Sequence, residues 1–422
     1  MATDTLIETG YRRAVALLER NATPEGFVAS SARAHYAAIW TRDAAIAALG
    51  AHLTGRPALL ATARQTLATL ARLQAPLGLL PNAYWPARGY WDWGEAGCTD
   101  ATAWFLIAAW HYYQTTGDLD FIEALWSALQ QALTWLRYQD ANQCGLIDSP
   151  AGGDWMDSTL NRSGKVLYVN VLYYWAARGA NALHARLGGS GALVDVADLH
   201  FKLNFLFWPS RTADYTQLLR HVAYGPTARP RFPHRAARRA FRAAAQGRRF
   251  YLSHVRYAQF VDKCDVWANL LAILCDLADA RRAATILDYL DETRIAHPYP
   301  VRCWPEPERP ADNRWGLLQP AVERYQAPQW RNPPYCYHNA GVWPVIGGFY
   351  VLALWKAGRR EQARAMLARL AEANRLGTAG AWEFREWLEA TSGAPRGAPY
   401  QSWNAGAYIL AYKAVADNHL PL

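Results

Sequence analysis

The sequence of 422 residues contains no long uninterrupted apolar run, although 52% of its residues are hydrophobic. A membrane-spanning helix needs roughly 20 consecutive apolar residues, so the sequence predicts no membrane span. Residues 1–20 carry acids and bases along a helical pattern and lack the basic start and apolar middle of a signal peptide. We therefore expect a cytoplasmic protein.

Cysteines are few and scattered. Six occur, no two of them form a CxxC pair, and the nearest two, Cys264 and Cys275, are 11 residues apart. This spacing fits neither a zinc site nor a disulfide framework. The HExxH metal motif, the GxSxG nucleophile motif and phosphate-binding glycine loops are also absent. The sequence predicts reduced thiols and a protein that needs no metal or organic cofactor.

Acidic residues are missing from one stretch. Residues 226–249 hold eight arginines and no acid, whereas the rest of the chain is nearly neutral despite the net charge of +9. A basic arm can bind nucleic acid or another polyanion. No nucleic-acid-binding motif accompanies it, so we favour a solvated insertion within a chain (1–422) that otherwise forms one domain.

Aromatic residues are abundant, with 20 Trp and 23 Tyr. Many stand beside Gly, Pro, Asp or Asn in loop-like stretches such as 84–86, 90–93 and 382–384. The apolar faces of a pyranose stack on aromatic rings, while its hydroxyls need charged or amide partners. These stretches therefore favour carbohydrate binding.

Helical periodicity dominates the chain, and alternating strand patterns are few. About thirteen helices are predicted. They cover 4–20, 41–52, 59–73, 100–116, 121–137, 166–187, 195–208, 212–223, 265–279, 281–291, 341–357, 360–374 and 401–416. Some are apolar on all sides (101–110) and others have one polar face (359–374), a pattern typical of buried inner and half-exposed outer helices. We therefore predict an all-α (α/α)6 barrel. The alternative, a helical solenoid, would show a fixed repeat period that this sequence lacks.

Loops rich in Trp, Asp, Gly and Asn precede alternate helices. They lie at 36–43, 81–100, 152–165, 298–337 and 380–401. In a double ring of helices these loops gather at one end around the axis, which predicts an acidic and aromatic cleft.

The loop 152–165 contains a carboxyl suited to glycosidic bond cleavage. Asp154 and Asp157 flank Trp155, and Arg162 follows. The acid that protonates a leaving oxygen must be neutral at working pH, and apolar or aromatic surroundings raise its pKa. The alternative role for either aspartate is a helix cap.

A second acidic loop lies near the end of the chain. Residues 381–388 place Glu383 and Glu386 among three aromatic rings, with Arg385 between them. An ionised carboxylate at this position can activate a water molecule. The alternative is a surface turn in which a glutamate pairs with Arg385.

Further polar and aromatic side chains in the loops can bind sugar hydroxyls or faces, although helix capping is the alternative for the polar ones. They are Trp40, Arg42, Asp43, Asp100, Trp155, Arg162, His338, Asn339, Trp343, Arg385, Glu386, Gln401 and Trp403. The histidines are scattered and indicate no His-based triad.

The order of these motifs resembles that of the (α/α)6-barrel glycosidases. The alkaline and neutral invertases are most similar, followed by the clan of trehalases, processing α-glucosidase I and glucosylglycerate or mannosylglycerate hydrolases. The matching stretches are 39–43, 99–101, 154–162, 337–344, 382–384 and 401–403. Each is short, but their shared order extends over nearly the whole chain.

The resemblance implies an inverting mechanism with Asp157 as general acid and Glu383 as general base. It also implies that Arg42 and Asp43 bind the sugar in the −1 subsite. Asp100, His338, Gln401 and Trp403 are implied to line the same pocket. Asp154 is the alternative acid and Glu386 the alternative base.

The chain departs from the invertase pattern in its last motif. Invertases have a Glu-Tyr-Tyr-like motif there, whereas this chain reads Glu383-Phe384-Arg385-Glu386. Arg385 can therefore meet an anionic aglycone such as glycerate, or pair with Glu386. The departure puts sucrose specificity in doubt and leaves the two-carboxylate chemistry intact.

The predicted function is inverting hydrolysis of a small α-linked glucoside or disaccharide, with sucrose and glucosylglycerate among the candidates. One alternative is a sugar phosphorylase, which would lack the base. Another is a non-catalytic barrel that binds sugar or a polyanion. Homo-oligomer formation stays open.

Overall fold

The computed structural model describes residues 2–94, 97–157, 160–212, 235–256, 259–309, 311, 316–317 and 332–422. Within these residues the chain forms 13 α-helices. They are α1 (Ala2–Asn21), α2 (Thr41–His52), α3 (Pro57–Arg72), α4 (Thr99–Thr116), α5 (Leu119–Tyr138), α6 (Leu167–Arg186), α7 (Val196–Phe207), α8 (Arg235–Ala244), α9 (Val266–Leu274), α10 (Ala280–Glu292), α11 (Pro344–Lys356), α12 (Arg360–Arg375) and α13 (Ser402–Ala416).

Six of these helices form a closed inner ring in the order α2, α4, α6, α9, α11 and α13, and α13 packs back against α2. They are buried along most of their length, as expected for helices that are apolar on all sides. Glycine permits the closest approach in the ring. A Cβ added at Gly50 of α2 would lie 2.5 Å from the Gly406 carbonyl oxygen of α13.

The other long helices surround this ring. α1 and α12 pack on each other and on α13, while α3, α5 and α7 pack on α2, α4 and α6. α10 is tied to the inner helix α11 by a hydrogen bond from the Tyr350 hydroxyl to Asp291 at 3.0 Å. The outer helices have one buried face, which on α3 consists of Leu59, Ala63, Leu67 and Leu70 with two threonines. The predicted all-α (α/α)6 barrel is confirmed.

The predicted helix bounds agree with the structure to within a few residues for most elements. α9 ends at Leu274, earlier than predicted, and Asp276 beyond it has a left-handed φ of 61° that cannot continue a helix. The predicted helix 212–223 lies outside the described residues apart from residue 212. Helix α8 was not predicted, and its Phe241 packs against Phe205 and Phe260.

Helix α8 belongs to the basic stretch 226–249. Its Arg238, Arg239 and Arg242 side chains are exposed. Arg248 and Arg249, which follow the helix, pair with Asp262 and Glu292 respectively. These positions are consistent with a solvated insertion, and the interpretation of the whole chain as one domain stays a prediction.

Short antiparallel strands lie in the loops that precede several inner helices. One sheet has the order β3 (Ile39–Trp40), β4 (Ala83–Trp85) and β5 (Tyr90–Asp92). A second has the order β6 (Lys165–Val166), β7 (His254–Arg256) and β8 (Gln259–Val261). Two hairpins pair β1 (Ala22–Thr23) with β2 (Gly26–Phe27), and β9 (Trp387–Leu388) with β10 (Pro395–Arg396). Among the described helices, none combines the length and apolarity that crossing a bilayer requires.

Candidate active site

Contacts among the inner helices define one end of the barrel. Arg42 in the first turn of α2 binds Asp100 in the first turn of α4. Trp343, directly before α11, lies 5.8 Å from the ring of Trp403 in the first turn of α13. The first turns of the inner helices, and the loops that lead into them, therefore meet around the axis, as the sequence predicts.

Arg42 and Asp100 form a buried ion pair. The Arg42 Nη1 atom lies 2.8 Å from Asp100 Oδ2, and the side chains are 6% and 0% exposed. Residue 98 occupies the N-cap position of α4 without a side-chain cap hydrogen bond, so Asp100 is not the helix cap. The Arg42 Nε atom has no hydrogen-bond partner within the described residues and can donate to a ligand.

Asp43 follows Arg42 on α2 and is 6% exposed. Burial raises its pKa to about 7, against the lowering effect of the Arg42 guanidinium and with a further raising effect of Glu386. A carboxyl that titrates near neutrality can donate or accept a hydrogen bond from a sugar hydroxyl.

Asp157 is accessible to solvent at the end of the loop that follows Trp155. Protein groups nevertheless surround its carboxyl, and the resulting desolvation raises its pKa to about 7. Arg42 opposes this rise, while the negative charges of Asp100, Asp154 and Glu386 reinforce it. The carboxyl is thus protonated in a large fraction of molecules at neutral pH.

Asp154, Arg162 and Asp265 form a buried ion triad. Arg162 donates to Asp154 from Nε at 3.1 Å and from Nη2 at 2.5 Å, and its Nη1 binds Asp265. Asp154 also accepts the backbone N–H of Met156 at 2.8 Å. Asp265 caps α9 through the Ala268 N–H, so the triad attaches the Asp157 loop to an inner helix.

Arg162 was predicted to bind sugar, but its side chain is only 1% exposed, and its guanidinium serves the triad. Asp154, the alternative acid, is 3% exposed and held in the same ion pairs. The sequence analysis missed Asp265, although an Asp directly before an apolar run is a recognisable helix-cap signal.

A cluster of indole rings surrounds Trp155, two residues before Asp157. The Trp155 ring packs edge-to-face on Trp267, His338 and Trp343 with centroid distances of 5.1, 5.0 and 5.3 Å. Trp403 packs on Trp343 and Trp267. All these side chains are nearly inaccessible, and Trp267 also contacts Trp104 and Phe349 in the barrel core. Trp267 is a further member that the sequence analysis missed.

Several polar atoms of the predicted site have no hydrogen-bond partner within the described residues. They are the Trp40, Trp155 and Trp403 Nε1 atoms and both amide atoms of Gln401. Gln401 is fully buried, directly before α13. Because an unpaired buried amide is costly, these groups need partners that the described side chains and backbone do not supply.

His338 and Asn339 differ in their surroundings. The His338 ring stacks on Tyr337 at 4.1 Å and on Trp343 at 5.3 Å, and these two rings also contact each other. The Asn339 amide binds the backbone of Glu308 in both directions and donates to the Asn332 carbonyl. Asn339 therefore stabilises the surrounding loops, and its amide is already occupied.

The Glu383 carboxylate is enclosed by protein donors. It accepts the backbone N–H groups of Thr378, Ala379 and Gly380 at 3.0, 2.7 and 2.9 Å, and the Arg385 Nε at 2.6 Å. Burial opposes ionisation, but these amides and the Arg385 charge hold the pKa of Glu383 below its ordinary value. Four donors occupy the lone pairs that an incoming water would need.

Glu386 lies three residues further on and has different surroundings. Its Oε1 accepts the Tyr36 hydroxyl at 3.0 Å, and its Oε2 accepts the Ala398 N–H at 2.9 Å. Burial raises the pKa of Glu386, and these two hydrogen bonds and Arg33 offset part of the rise. Each oxygen accepts one described hydrogen bond, so both retain capacity for another donor.

Tyr36 lies near these carboxyls and was not singled out from the sequence. Burial raises its pKa, and Glu386, Asp43 and Asp157 all reinforce the rise. Their mutual influence shows that Asp43, Asp157, Glu386 and Tyr36 share one site. Tyr36 stands in the loop 36–43 that composition had indicated, but no charge or spacing distinguished it there.

Other kinds of catalytic centre have little support in the described part of the chain. No group of three or more His, Cys, Asp and Glu side chains there is arranged to hold a metal ion. All six cysteines are free thiols, and burial raises the pKa of Cys275 and of Cys303 to about 12. Neither of these two is a thiolate nucleophile at neutral pH.

Two family models match consecutive parts of the chain. Amylo-alpha-1,6-glucosidase matches residues 13–220, and alkaline and neutral invertase matches residues 249–418. Together with the barrel, these matches support an (α/α)-barrel glycoside hydrolase family for this chain, and the resemblance to the invertases is confirmed.

Particular relatives are distant. Probable alkaline/neutral invertase D of Arabidopsis thaliana is 24% identical over 356 residues, which cover 78% of this chain and 62% of the relative. Cytosolic invertase 1 of rice (Oryza sativa subsp. japonica) is 26% identical over 175 residues, covering 40% of this chain and 29% of the relative. The chain thus spans less than two thirds of the length of these invertases.

A solved structure shares the fold over almost its full length. Mannosylglycerate hydrolase from Thermus thermophilus, in complex with glucose, has a TM-score of 0.65 at 17% sequence identity. The alignment covers 94% of this chain and 98% of that one.

Proposed function

We propose that the protein is an inverting glycoside hydrolase that acts on a small α-linked glucoside or disaccharide. The observation that carries this proposal is the pair formed by Asp157 and Glu386. Within the described residues neither carboxyl belongs to an ion pair, whereas Asp100, Asp154 and Glu383 all do. The two carboxyls influence each other electrostatically, and Asp157 is exposed to solvent.

Asp157 is the proposed general acid. With its pKa raised to about 7, the carboxyl is available in protonated form near neutral pH for transfer to the glycosidic oxygen. Its accessibility from solvent allows a leaving group to approach it.

Glu386, and not Glu383, is the proposed general base. A base must hold a water molecule and take its proton, and the Glu386 oxygens retain acceptor capacity for it. Glu383 is occupied by four donors and supports the loop from which Glu386 projects. Attack by an activated water opposite the leaving group inverts the anomeric centre.

The proposed −1 subsite lies between these carboxyls and the indole cluster. Arg42, Asp43 and Gln401 offer donors and acceptors to sugar hydroxyls, and Trp403 contributes its Nε1 atom. This composition of aromatic surface with a few converging polar groups is typical of small-ligand sites. Arg385 is not available for an anionic aglycone, because it binds Glu383 and the Gly397 carbonyl.

The relatives support the choice of substrate and compartment. The invertases and the mannosylglycerate hydrolase named above suggest a disaccharide-sized glycoside, and glucose is bound in the latter. We place the protein in the cytoplasm because one relative is a cytosolic invertase. A sugar phosphorylase is the second candidate from the sequence, but it would need no base such as Glu386.

The first test is the stereochemistry of the product. Purified protein is incubated with a panel of α-linked disaccharides and glucosylglycerate, with and without inorganic phosphate, and the first anomer is followed by NMR. We expect the β-anomer of the released sugar, at a rate independent of phosphate. Initial release of the α-anomer would contradict the inverting mechanism, and dependence on phosphate would indicate the phosphorylase.

The pH profile of kcat/KM is the second test. Asp157 must be protonated and Glu386 ionised, so activity is lost as pH rises through the Asp157 pKa of about 7. Activity is also lost as pH falls through the Glu386 pKa, which burial places above its ordinary value. We expect a bell-shaped profile with its maximum below pH 7. A flat profile from pH 5 to 9 would contradict these assignments.

A further inference from the structure

The indole cluster continues into the barrel core, where Trp267 contacts Trp104 and Phe349. Trp155, Trp343 and Trp403 are at most 5% exposed, so we take the inner end of the proposed sugar-binding site to lie against them. A sugar unit bound against Arg42 and Asp43 therefore fills the inner end of the site. Any further units of the substrate must extend from the leaving-group side toward the rim.

The sheet β3–β4–β5 stands at this rim. Its register pairs Trp40 with Ala83, and Trp85 with Tyr90. Because successive side chains of a strand point to opposite faces, Trp40, Trp85 and Tyr90 share one face. Trp91 belongs to the other face, where it pairs with Tyr84.

Aromatic rings continue along that face from the site to the surface. Tyr36 binds Glu386, and its ring lies 6.2 Å from that of Trp40. The Trp40 ring lies 6.0 Å from Trp85, which lies 5.5 Å from Tyr90. We call Tyr36, Trp40, Trp85 and Tyr90 the aromatic strip.

Exposure varies along the strip, since Tyr36 and Trp40 are half-buried, Trp85 is buried and Tyr90 is exposed. Trp85 is 8% exposed and donates its Nε1 to the His35 carbonyl, so it acts as a support. Tyr90 is 55% exposed at the outer end. A single exposed tyrosine is ordinary on a protein surface. This one continues a row of rings that starts at the proposed base.

We propose that the aromatic strip binds the leaving-group sugars of an oligosaccharide, with Tyr90 stacking on the unit two positions beyond the cleaved bond. This inference rests on the proposed function. A disaccharide then fills only part of the site, and an α-linked trisaccharide or longer chain is the better substrate. Ring stacking suits the apolar face of a pyranose and tolerates different linkages.

The test compares substrates that differ by one unit. The kinetics of maltose with maltotriose, and of isomaltose with isomaltotriose, are measured for the wild type and for Tyr90→Ala, Tyr90→Phe and Trp91→Ala. We expect kcat/KM of the trisaccharide to exceed that of its disaccharide by about 3–10-fold, the range of one stacking contact. We expect Tyr90→Ala to raise the KM of the trisaccharide at unchanged kcat, which brings this ratio close to one. Tyr90→Phe should preserve the ratio.

Trp91→Ala is the matched control, because Trp91 is 41% exposed on the opposite face of the same sheet. It should leave the ratio intact. A ratio near one in the wild type, or an equal loss in the Trp91 and Tyr90 alanine variants, would overturn the strip.

Binding measurements on an inactive variant test the aromatic strip independently of the proposed catalysis. Isothermal titration of Glu386→Gln, alone and combined with Tyr90→Ala, measures affinity for maltotriose and maltose without turnover. Tyr90-dependent preference of Glu386→Gln for maltotriose, together with a wild type that hydrolyses neither sugar, would support the strip and reject the hydrolase. Turnover of disaccharides by the wild type, with equal affinity of Glu386→Gln for maltose and maltotriose, would support the hydrolase and reject the strip. Failure to bind any of these sugars would overturn both.

Discussion

Replacing Glu386 by glutamine is expected to lower kcat by about 10²–10⁴-fold, the usual contribution of a general base. The fold should persist, because glutamine keeps an oxygen that can accept one of the two hydrogen bonds from Tyr36 and Ala398. The measurement is kcat on the best disaccharide of the panel, with the melting temperature as control.

Glu383→Gln is the matched comparison, since both glutamates are buried in the same loop. Its amide group would place donors against the N–H groups of residues 378–380 and the Arg385 guanidinium. We therefore expect a lower melting temperature, with more residual activity than Glu386→Gln retains. The reverse order of activities would restore Glu383 as the base.

Azide provides a second readout of the base. In Glu386→Ala, azide can enter the space of the carboxylate and attack without deprotonation. We expect it to restore turnover and to form a glycosyl azide of inverted configuration. Rescue of Glu383→Ala instead, or of neither variant, would argue against Glu386.

Asp157→Asn is expected to lower kcat on disaccharides by about 10²–10⁴-fold, because no proton reaches the leaving oxygen. The effect should be much smaller on α-glucosyl fluoride, since fluoride leaves without protonation. Asp157 has no ion pair within the described residues, so folding should be unaffected by the substitution. Equal losses on both substrates would contradict the role of acid.

The pH profile of Asp157→Asn tests whether Asp157 causes the loss of activity near pH 7. The loss of activity near pH 7 should disappear, because the group that titrates there is gone. The acidic limb should stay in place, because Asp157 is already protonated and uncharged at the pH at which Glu386 titrates. An unchanged alkaline limb would assign it to another group, of which Asp43, with its pKa of about 7, is the first to examine.

The loop 378–386 illustrates what sequence reasoning could not resolve. Glu383 and Glu386 are three residues apart and both stand among aromatic rings and arginine. Trp382 and Phe384 have left-handed φ values of 65° and 44°, so the chain turns sharply on both sides of Glu383. This turn directs its carboxylate to the amides of residues 378–380. Helical periodicity carries no information about such a loop.

Arg162 illustrates a second kind of limit. An arginine beside two acids in a loop is a reasonable ligand for sugar hydroxyls. Its partner Asp265 is 103 residues away in sequence, and their contact exists only once α9 is packed in the ring. Buried charges must be paired, and the pairing decides whether they face a ligand.

By itself the sequence determined most of the helices, their buried faces, the double ring and the end of the barrel at which the carboxyls gather. These features follow from local periodicity and from the order of the loops, and neither depends on how individual side chains pack. Only the tertiary structure decided which carboxyls are neutralised by protein donors and which have access to a ligand. That distinction depends on backbone turns and on partners distant in the chain, because burial and hydrogen bonding, rather than residue type, set the state of a carboxyl.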